Sequence, residues 1–441
     1  MNTQNKAELS ASIWRRPVQE RLARLKNGRI EVLEAGQRVV LGASNPVRAE
    51  PWERGHVPRG VSALREGETP SPPDFQKQRE PGDLPVATFE VLDSSCWRAI
   101  ATGGALGAAE SFMDGQWRSP DPAGLLRLML RDQDVLEGLG GPLSVLGAVP
   151  RWIGHALRRN TRTGARRNIS AHYDVGNDFF RLFLDSTMLY SCAYFPSKDA
   201  SLEEASIAKL DRLCEMLQLK PGLRVLEIGS GWGACAIHMA REYGCQVVSI
   251  TISERQHAEA VRRVRAAGLE DRVEIRMQDY RDVSGQFDRL ISIEMIEAVG
   301  TQYLNLFFQR CSELLAPDGL MALQVITITD QAYRSAVKRV DFIKRYIFPG
   351  GFLPSVEAIM GAVRRCTDFR LVRMEDIGSH YVRTLRLWAE ALRENWNAAK
   401  DLGYSSEFLR MYEFYFRYCE AGFAERTIGD AQMLFAKPQA G

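Results

Sequence analysis

The chain has 441 residues, of which 45% are hydrophobic and 25% charged, as in an ordinary globular protein long enough for more than one domain. Its 57 basic and 55 acidic residues give a net charge of only +2, which argues against nucleic acid as the main partner. No apolar run predicts a membrane-spanning helix and no secretory signal opens the sequence, so we expect a cytoplasmic protein. Eight scattered cysteines, without a C-x-x-C pair or a Cys/His cluster, indicate free thiols and no metal site.

The first part of the sequence predicts helix, strand and loop in turn. Residues 11–35 indicate a basic amphipathic helix that runs into a strand, and the alternating pattern of 84–92 indicates another strand. Between them, residues 43–84 are rich in proline, glycine and charge, which is typical of a loop or a disordered insertion. A glycine-rich segment at 136–147 precedes a basic run, and we place a domain boundary near residue 160.

From about residue 200 the sequence alternates strands with helices, which predicts a parallel α/β sheet. The predicted strands are 224–228, 246–251, 273–277, 287–293 and 319–328. The predicted helices are 234–243, 254–267 and 301–315. A last strand, 431–436, is predicted to pair antiparallel at the edge of the sheet.

A glycine-rich loop lies between the first of these strands and its helix: Glu227, Ile228, Gly229, Ser230, Gly231, Trp232 and Gly233. Alternate glycines let a ligand approach the backbone, and the following helix offers free N–H groups. A dinucleotide loop would read G-x-G-x-x-G, and a plain tight turn would not need three glycines beside a carboxylate. With Asp279 after the third strand, placed to accept from an adenine amino group, the loop predicts an S-adenosylmethionine site. Many methyltransferases end the second strand with an acidic residue for the ribose, but here it ends at Thr251, and we expect Thr251 and Gln256 to supply hydrogen bonds instead.

Seven motifs resemble those of the cyclopropane-fatty-acyl-phospholipid synthase family. They are HYDVGNDFF (172–180), MLYSCAYF (188–195), LEIGSGWG (226–233), TIS (251–253), QDYRD (278–282), EMIEAVG (294–300) and RYIFPGGFLPS (345–355). The resemblance covers roughly 165–441, with a weaker similarity at 106–117, and the family includes relatives that leave a methyl branch. It implies a Rossmann-like class I methyltransferase domain with a seven-stranded mixed sheet at 161–441. A smaller, mainly helical domain at 1–160 would serve lipid and membrane docking.

The resemblance also implies the site residues. In this family, methyl transfer to an alkene leaves a carbocation, and a bound bicarbonate then removes a proton. Bicarbonate would be held by Cys192, Glu297, Tyr381 and the backbone near Ile326. An apolar, aromatic site would protect the carbocation from water. The cofactor positions that match are Tyr190, Ser191, Gly229, Gly231, Thr251, Gln256, Gln278 and Asp279. Cys419 matches a cysteine often designated catalytic, although a cysteine among aromatic residues is more often a packing residue.

Three residues depart from the family pattern around the anion. Gln324 stands where the family has a histidine, and a glutamine cannot carry charge at neutral pH. Ala298 replaces a second common histidine, and Glu294 adds a carboxylate nearby. The removal of the proton is therefore the step at which this protein's product can differ from a cyclopropane.

The main hypothesis is cyclopropanation of a phospholipid acyl chain by S-adenosylmethionine, with bicarbonate as the base. The alternatives are methylation without ring closure, on the way to a methyl-branched or furan fatty acid, a soluble small-molecule methyltransferase, and an inactive lipid-binding scaffold. We expect reversible contact with the inner face of the membrane, for which the basic run Arg158–Arg167 and the segment at Trp14 are candidates beside a plain solvated surface. A homodimer and a partner oxidoreductase are further expectations. His172 and Tyr173 are either site residues or ordinary capping and packing residues.

Overall fold

The computed structural model describes residues 3–43, 84–139 and 175–440. Most of the predicted loop at 43–84 and the predicted domain boundary near residue 160 lie outside these ranges, and both stay predictions. Over the part of the chain that is described, no helix has the length and apolar character that crossing a bilayer requires.

The described part of the first 139 residues combines one small sheet with helices. Its elements are α1 Thr3–Leu22, β1 Arg29–Glu34, β2 Gln37–Gly42, β3 Val86–Val91, α2 Ser95–Met113, β4 Trp117–Arg118, α3 Pro122–Arg131 and α4 Gln133–Gly138. The strand order is β2-β1-β3-β4, in which β1 and β3 are parallel and the other neighbours antiparallel. The predicted helix and strand of 11–35 and the predicted strand of 84–92 are therefore present.

Buried and less buried residues alternate along β3, and a glycine kinks the neighbouring helix α2. Phe89 and Val91 are buried at every second position of β3, and Phe89 packs against Trp97 of α2 with ring centroids 5.6 Å apart. Within α2, Gly104 has a φ of +60° and a ψ of −138°, which kinks the helix. Glycine adopts that conformation readily because it has no Cβ.

The second part begins at residue 175 and carries a larger sheet. Its helices and strands are α5 Asn177–Phe180, α6 Leu202–Met216, β5 Arg224–Ile228, α7 Ala234–Glu242, β6 Gln246–Thr251, α8 Glu254–Ala266, β7 Val273–Met277, β8 Phe287–Ile293, α9 Leu304–Leu314, β9 Leu315–Ile328, α10 Asp330–Lys338, α11 Val356–Cys366, β10 Arg370–Asp376, α12 Gly378–Glu394, α13 Trp396–Asp401, α14 Ser406–Ala424 and β11 Ile428–Ala436. A single π-helical turn, Ile343–Ile347, lies between α10 and α11.

The seven strands of this part form one mixed sheet in the order β10-β11-β9-β8-β5-β6-β7. The strands β5 to β9 are parallel, and β11 is antiparallel to both of its neighbours. The predicted fold class is thereby confirmed, and four of the predicted parallel strands have the bounds that were expected. The fifth, β9, begins four residues earlier, at Leu315.

The predicted position of the last strand was wrong. β11 pairs on both sides, and the edge strand is β10, which the sequence analysis missed. Six of its seven positions are exposed, so the apolar alternation that identifies a half-buried strand is absent.

The two parts share one hydrophobic cluster. It includes Trp97 and Phe112 from α2 together with Phe414 and Phe416 from α14. At its rim Glu425, just after α14, accepts hydrogen bonds from Arg127 and Arg131 of α3 at 2.7–2.8 Å. The α14 helix and the residue that follows it are therefore fixed to the amino-terminal elements by packing and by ion pairs.

Candidate active site

The glycine-rich loop joins β5 to α7 and lines a large cavity. All three of its glycines have positive φ, with values of +102° at Gly229, +49° at Gly231 and +88° at Gly233. A Cβ on Gly229 would lie 3.0 Å from Met295, and one on Gly233 would lie 3.2 Å from Ala260. A Cβ on Gly231 would meet nothing within 4 Å, because this glycine faces open space. Gly231 is therefore the position at which a ligand can come close to the backbone.

Glu227 lies at the end of β5, buried beneath this loop. Its carboxylate accepts a hydrogen bond from Ser249 on β6. Burial raises the pKa of Glu227 to about 7, against the opposing effects of that bond and of Lys209. Bringing a cationic amino group to this carboxylate would favour its ionised form, as the predicted binding of the methionine moiety requires.

The other predicted cofactor residues surround the same end of the sheet. Thr251 donates to the side chain of Gln256 at 3.0 Å, and Gln278 hydrogen-bonds through its backbone N–H to the Thr251 carbonyl. The carboxylate of Asp279 is held by Arg281 through both of its oxygens, at 2.8 and 2.6 Å. A carboxylate has further lone pairs, so Asp279 can still accept from an adenine amino group. All four predicted residues named here line the cavity.

Tyr190, Ser191, Ser230 and Trp232 complete the predicted cofactor set. The Tyr190 hydroxyl lies 3.2 Å from that of Tyr415, and Ser191 accepts a hydrogen bond from the buried Lys209 at 2.7 Å. Ser230 and Trp232 lie in the loop itself and line the cavity with the other two. The structure therefore brings together every predicted cofactor residue at one end of the sheet.

The cavity has a volume of about 1030 Å³, which is at the upper end for a single small ligand. Past the loop it is lined by a second group of polar residues, which includes Glu294 and Glu297 after β8 and Tyr381 on α12. A cofactor bound at the loop and a second molecule bound beside these carboxylates would thus share one cavity.

Glu294 is the centre of this second group. Its Oε1 accepts hydrogen bonds from the Cys192 backbone N–H and from the Gln324 amide, each at 2.8 Å, and its Oε2 accepts one from the Tyr381 hydroxyl at 2.8 Å. Its φ is +45°, in the left-handed region that costs a side chain other than glycine about 1 kcal/mol. Three converging donors hold the carboxylate in spite of that strain.

Asp430 of β11 lies behind Glu294. The Gln324 amide nitrogen donates to Asp430 at 3.0 Å as well as to Glu294, and the Gln324 oxygen accepts from Gln432 at 3.1 Å. Burial and the nearby charges of Glu294 and Glu297 raise the pKa of Asp430 well above its usual value. Two buried carboxyl groups so close cannot both ionise. Burial raises the pKa of Glu294 too, but its three donors and the charge of Lys209 oppose that rise, so Glu294 ionises before Asp430.

Glu297 differs from Glu294 in its contacts. Its Oε1 accepts from the Ile326 backbone N–H at 2.6 Å, while its buried Oε2 has no protein partner. Burial and the charge of Glu294 raise its pKa to about 8. The neutral form of Glu297 is therefore favoured near neutral pH, and its Oε2 lies buried at the cavity wall without a hydrogen-bond partner.

Aromatic rings form much of the wall around these carboxylates. Tyr381 stacks on Phe423 with centroids 4.4 Å apart, and Tyr415 and Tyr418 also line the cavity. Such rings exclude water and present a negative face to a cation. This surface meets the predicted requirement for a carbocation-protecting site.

Neither predicted catalytic cysteine has the environment of a nucleophile. Burial raises the pKa of the Cys192 thiol well above its ordinary value, and burial likewise raises that of Cys419. Both therefore remain thiols, which are poor nucleophiles. The contribution of Cys192 to the site is its backbone N–H, and Cys419 lies on the cavity wall beside Tyr418.

Sequence reasoning missed Lys209 and Asp430. Lys209 is fully buried on α6, where it hydrogen-bonds to Ser191. Burial raises the pKa of both Glu227 and Glu294, and the charge of Lys209 opposes that rise. A lysine at the apolar spacing of a helix, as here beside Leu210 and Leu213, is a signal that could have identified it. Asp430 is likewise the one acidic residue of an otherwise uncharged strand. His172, Tyr173 and the basic run that includes Arg158 lie outside the described residues.

The sheet, the loop and the cavity define a class I S-adenosylmethionine-dependent methyltransferase. The solved structure of the cyclopropane synthase MmaA2 from Mycobacterium tuberculosis is 35% identical, with a TM-score of 0.58, and the match covers 62% of this chain and 98% of that one. The mycolic acid cyclopropane synthase CmaA1, solved in complex with SAH and CTAB, gives 33% identity, a TM-score of 0.58 and the same coverage.

The chain belongs to the mycolic acid cyclopropane synthetase family, whose sequence model matches residues 160–433. The tuberculostearic acid methyltransferase UfaA1 of Mycobacterium tuberculosis is 39% identical over 74% of this chain and 77% of the relative. The cyclopropane-fatty-acyl-phospholipid synthase of Escherichia coli K12 is 37% identical over 80% of this chain and 88% of the relative. The family and the methyltransferase activity predicted from the sequence are thereby confirmed.

Proposed function

We propose that the protein methylates the cis double bond of an unsaturated phospholipid acyl chain, with Glu294 as the base, and leaves a methyl-branched unsaturated chain instead of a ring. One observation carries the proposal: Glu294 already occupies the donors that were predicted to hold bicarbonate. The names of two relatives support it, since one is a tuberculostearic acid methyltransferase and another, from Pseudomonas putida, a probable fatty acid methyltransferase.

The predicted bicarbonate does not fit this arrangement. The Cys192 N–H and the Tyr381 hydroxyl donate to Glu294, and the Ile326 N–H donates to Glu297. An anion would have to displace the ionised Glu294 carboxylate from its donors and then lie next to its charge. Gln324, in place of the family's histidine, adds no positive charge that would offset the repulsion.

The reaction balances with the groups present. When bound, S-adenosylmethionine would supply an electrophilic methyl group. The π electrons of the alkene form the new C–C bond, the methyl–sulfur bond breaks with its electrons leaving on S-adenosylhomocysteine, and the neighbouring chain carbon becomes a cation. A C–H bond next to the cation then breaks, its electrons make a new double bond, and the proton passes to Glu294. If the electrons of a methyl C–H bond closed onto the cationic carbon instead, the product would be a cyclopropane. The position of Glu294 relative to the chain selects between these outcomes.

The apolar wall and the protonated Glu297 suit the same chemistry. Aromatic rings stabilise the cation by their quadrupoles and keep out the water that would trap it. The neutral form of Glu297 is favoured near pH 7. Of these two glutamates, Glu294 is therefore the one that acts as a carboxylate.

We also propose contact with the membrane and a partner enzyme. The substrate is a bilayer phospholipid, so the protein reaches it by reversible contact with the inner face of the membrane. An unsaturated product requires a reductase to become a saturated branched chain, which is the role of the expected partner oxidoreductase. A homodimer remains a separate expectation.

The test is lipid analysis of a bacterial host that lacks its own cyclopropane synthase and expresses this chain. Both products gain one CH2, but ozonolysis cleaves the methylated alkene and leaves a cyclopropane intact. We expect a cleavable product whose formation from vesicles in vitro does not depend on added bicarbonate. A wholly cyclopropane product made at full bicarbonate dependence would overturn the proposal.

The variant Glu294→Gly tests the same proposal by removing the proposed base. Glycine relieves the left-handed φ of residue 294 and frees the Cys192 and Tyr381 donors for an anion. We expect a slow variant that added bicarbonate stimulates and whose cyclopropane fraction rises. A Glu294→Gly variant that keeps the wild-type rate without bicarbonate would show that Glu294 is not the base.

A further inference from the structure

The cavity does not end at the methyltransferase site. It continues between the amino-terminal elements, where its wall includes Leu22, Phe89, Trp97, Ile100, Leu125 and Met129. We refer to this part, lined by α1, β3, α2 and α3, as the apolar arm. All six side chains are buried and none has a charge. The family match begins only at residue 160, so the arm is built from a part of the chain that the match does not include.

The polar residues of the arm lie at its outer end. Gln133 and Glu137 of α4 line the cavity there, and the Glu137 side chain is 57% exposed and forms an ion pair with Arg339. The inner wall thus offers hydrocarbon contact to a ligand, and a charged or polar group placed there would lose its hydration without a partner.

We infer that the apolar arm binds the methyl-terminal segment of the substrate acyl chain, and that Gly103 sets the length of chain that fits. The inference rests on the proposed function, because it takes an acyl chain as the substrate. The arm is continuous with the cavity that contains Glu294 and the cofactor loop. The end of the chain beyond the double bond has no polar group, whereas the other end carries the phosphate that must remain in water. Only the first of these ends suits the arm.

Gly103 is the position at which the arm can be narrowed. It lies on the cavity wall one turn from Ile100 in α2, next to the kink at Gly104. A Cβ built on Gly103 meets nothing within 4 Å, and its φ is not in the left-handed region. A side chain at residue 103 would therefore begin in open space at the cavity wall, where a larger one would narrow the arm.

The experiment compares vesicles of palmitoyl-palmitoleoyl and palmitoyl-oleoyl phosphatidylglycerol. The two substrate chains have the same Δ9 double bond but differ by two carbons beyond it. S-adenosylhomocysteine release gives kcat/KM for each lipid whatever the product is. For Gly103→Leu in the full-length protein we expect the ratio of oleoyl to palmitoleoyl kcat/KM to fall by about tenfold relative to the wild type. Gly103→Ala should give a smaller fall.

Arg98→Leu is the matched control, because it places the same side chain on the exposed face of the same helix. It should keep the wild-type ratio, and both variants should keep the wild-type affinity for S-adenosylmethionine.

Leu126→Ala enlarges the arm and should shift the preference toward longer chains. It is the alternative test if Gly103→Leu does not fold. An unchanged length ratio in folded Gly103→Leu, or in Leu126→Ala, would overturn the inference. The proposed product would be unaffected, since the ratio does not depend on whether a ring forms.

Discussion

The side-chain amide of Gln324 donates a hydrogen bond to Glu294 at 2.8 Å and a second one to Asp430 at 3.0 Å. A neutral amide therefore joins two carboxyl groups that share one negative charge. A histidine at residue 324 would be able to take up the proton itself and form an ion pair with Glu294. That pair would weaken Glu294 as a base, since a neighbouring cation stabilises its ionised form.

The first prediction follows from this contact and concerns Gln324→His. We expect a fall in kcat and only a partial shift toward cyclopropane, because Glu294 still occupies the anion donors. Combining Gln324→His with Glu294→Gly should raise the bicarbonate stimulation above that of Glu294→Gly alone. Lipid analysis and S-adenosylhomocysteine release measure both effects. Equal stimulation of the single and double variants would show that residue 324 does not influence the anion.

Glu294→Gln is the direct test of the base. A positioned general base typically contributes about 10²–10⁴-fold to a rate, and the amide keeps the shape of the side chain but cannot accept the proton. We expect kcat to fall by that order, while calorimetric titration gives an S-adenosylmethionine affinity within a few-fold of the wild type. Glu242→Gln, an exposed carboxylate at the end of α7, should keep the wild-type rate. A fully active Glu294→Gln variant would contradict the assignment.

Lys209 predicts a change in the pH profile. Burial raises the pKa of Glu294 and the charge of Lys209 opposes that rise, so Lys209→Met should raise the pKa further. Because the base acts in its ionised form, activity is lost as pH falls through this pKa, and the acid limb of the kcat profile should move to higher pH. Asp430, Glu297 and Tyr381 remain around the carboxylate in both proteins. Lys220→Met, at an exposed position, should leave the limb in place. A loss of rate that is equal at every pH would instead indicate a structural defect.

Gly231→Ala should weaken S-adenosylmethionine binding by at least tenfold. The new Cβ would enter the open space in front of the loop, and the residue must hold a φ of +49°. Gly36→Ala is the matched control, since Gly36 also has a positive φ and open space around it but lies in the β1–β2 turn. Calorimetric titration compares the two. If both variants bind the cofactor like the wild type, the loop is not part of its site.

Glu297→Gln predicts a change in stability with pH. The pKa of Glu297 is about 8 in the folded protein, above that of an unfolded glutamic acid, so folding binds a proton. Its stabilising contribution is present below the unfolded pKa and is lost as pH rises through about 8. The free energy of unfolding of the wild type should therefore fall between pH 5 and pH 8 more steeply than that of Glu297→Gln. Urea denaturation at the two pH values measures the difference, and parallel curves would refute the raised pKa.

The bounds of Arg224–Ile228 could be predicted from the sequence because this strand ends at a glycine-rich turn that leaves little choice. Sequence reasoning failed at β10, whose exposed positions carry no burial pattern, and so it assigned the sheet edge to β11. The contacts of Glu294 could not be predicted from the sequence. They come from residue 192 in a loop, from residue 324 in β9 and from residue 381 in α12, and only the folded sheet brings these together.

The left-handed backbone at Glu294 has a consequence for where the enzyme can work. A free anion reaches an active site only at the concentration that dissolved carbon dioxide and the pH of the cell allow. In the proposed reaction, a carboxylate built into the chain is present once per molecule at the reacting carbon, in carbonated and in air-purged medium alike. With Glu294 as the proposed base, held by a left-handed backbone, methylation would not depend on the supply of inorganic carbon.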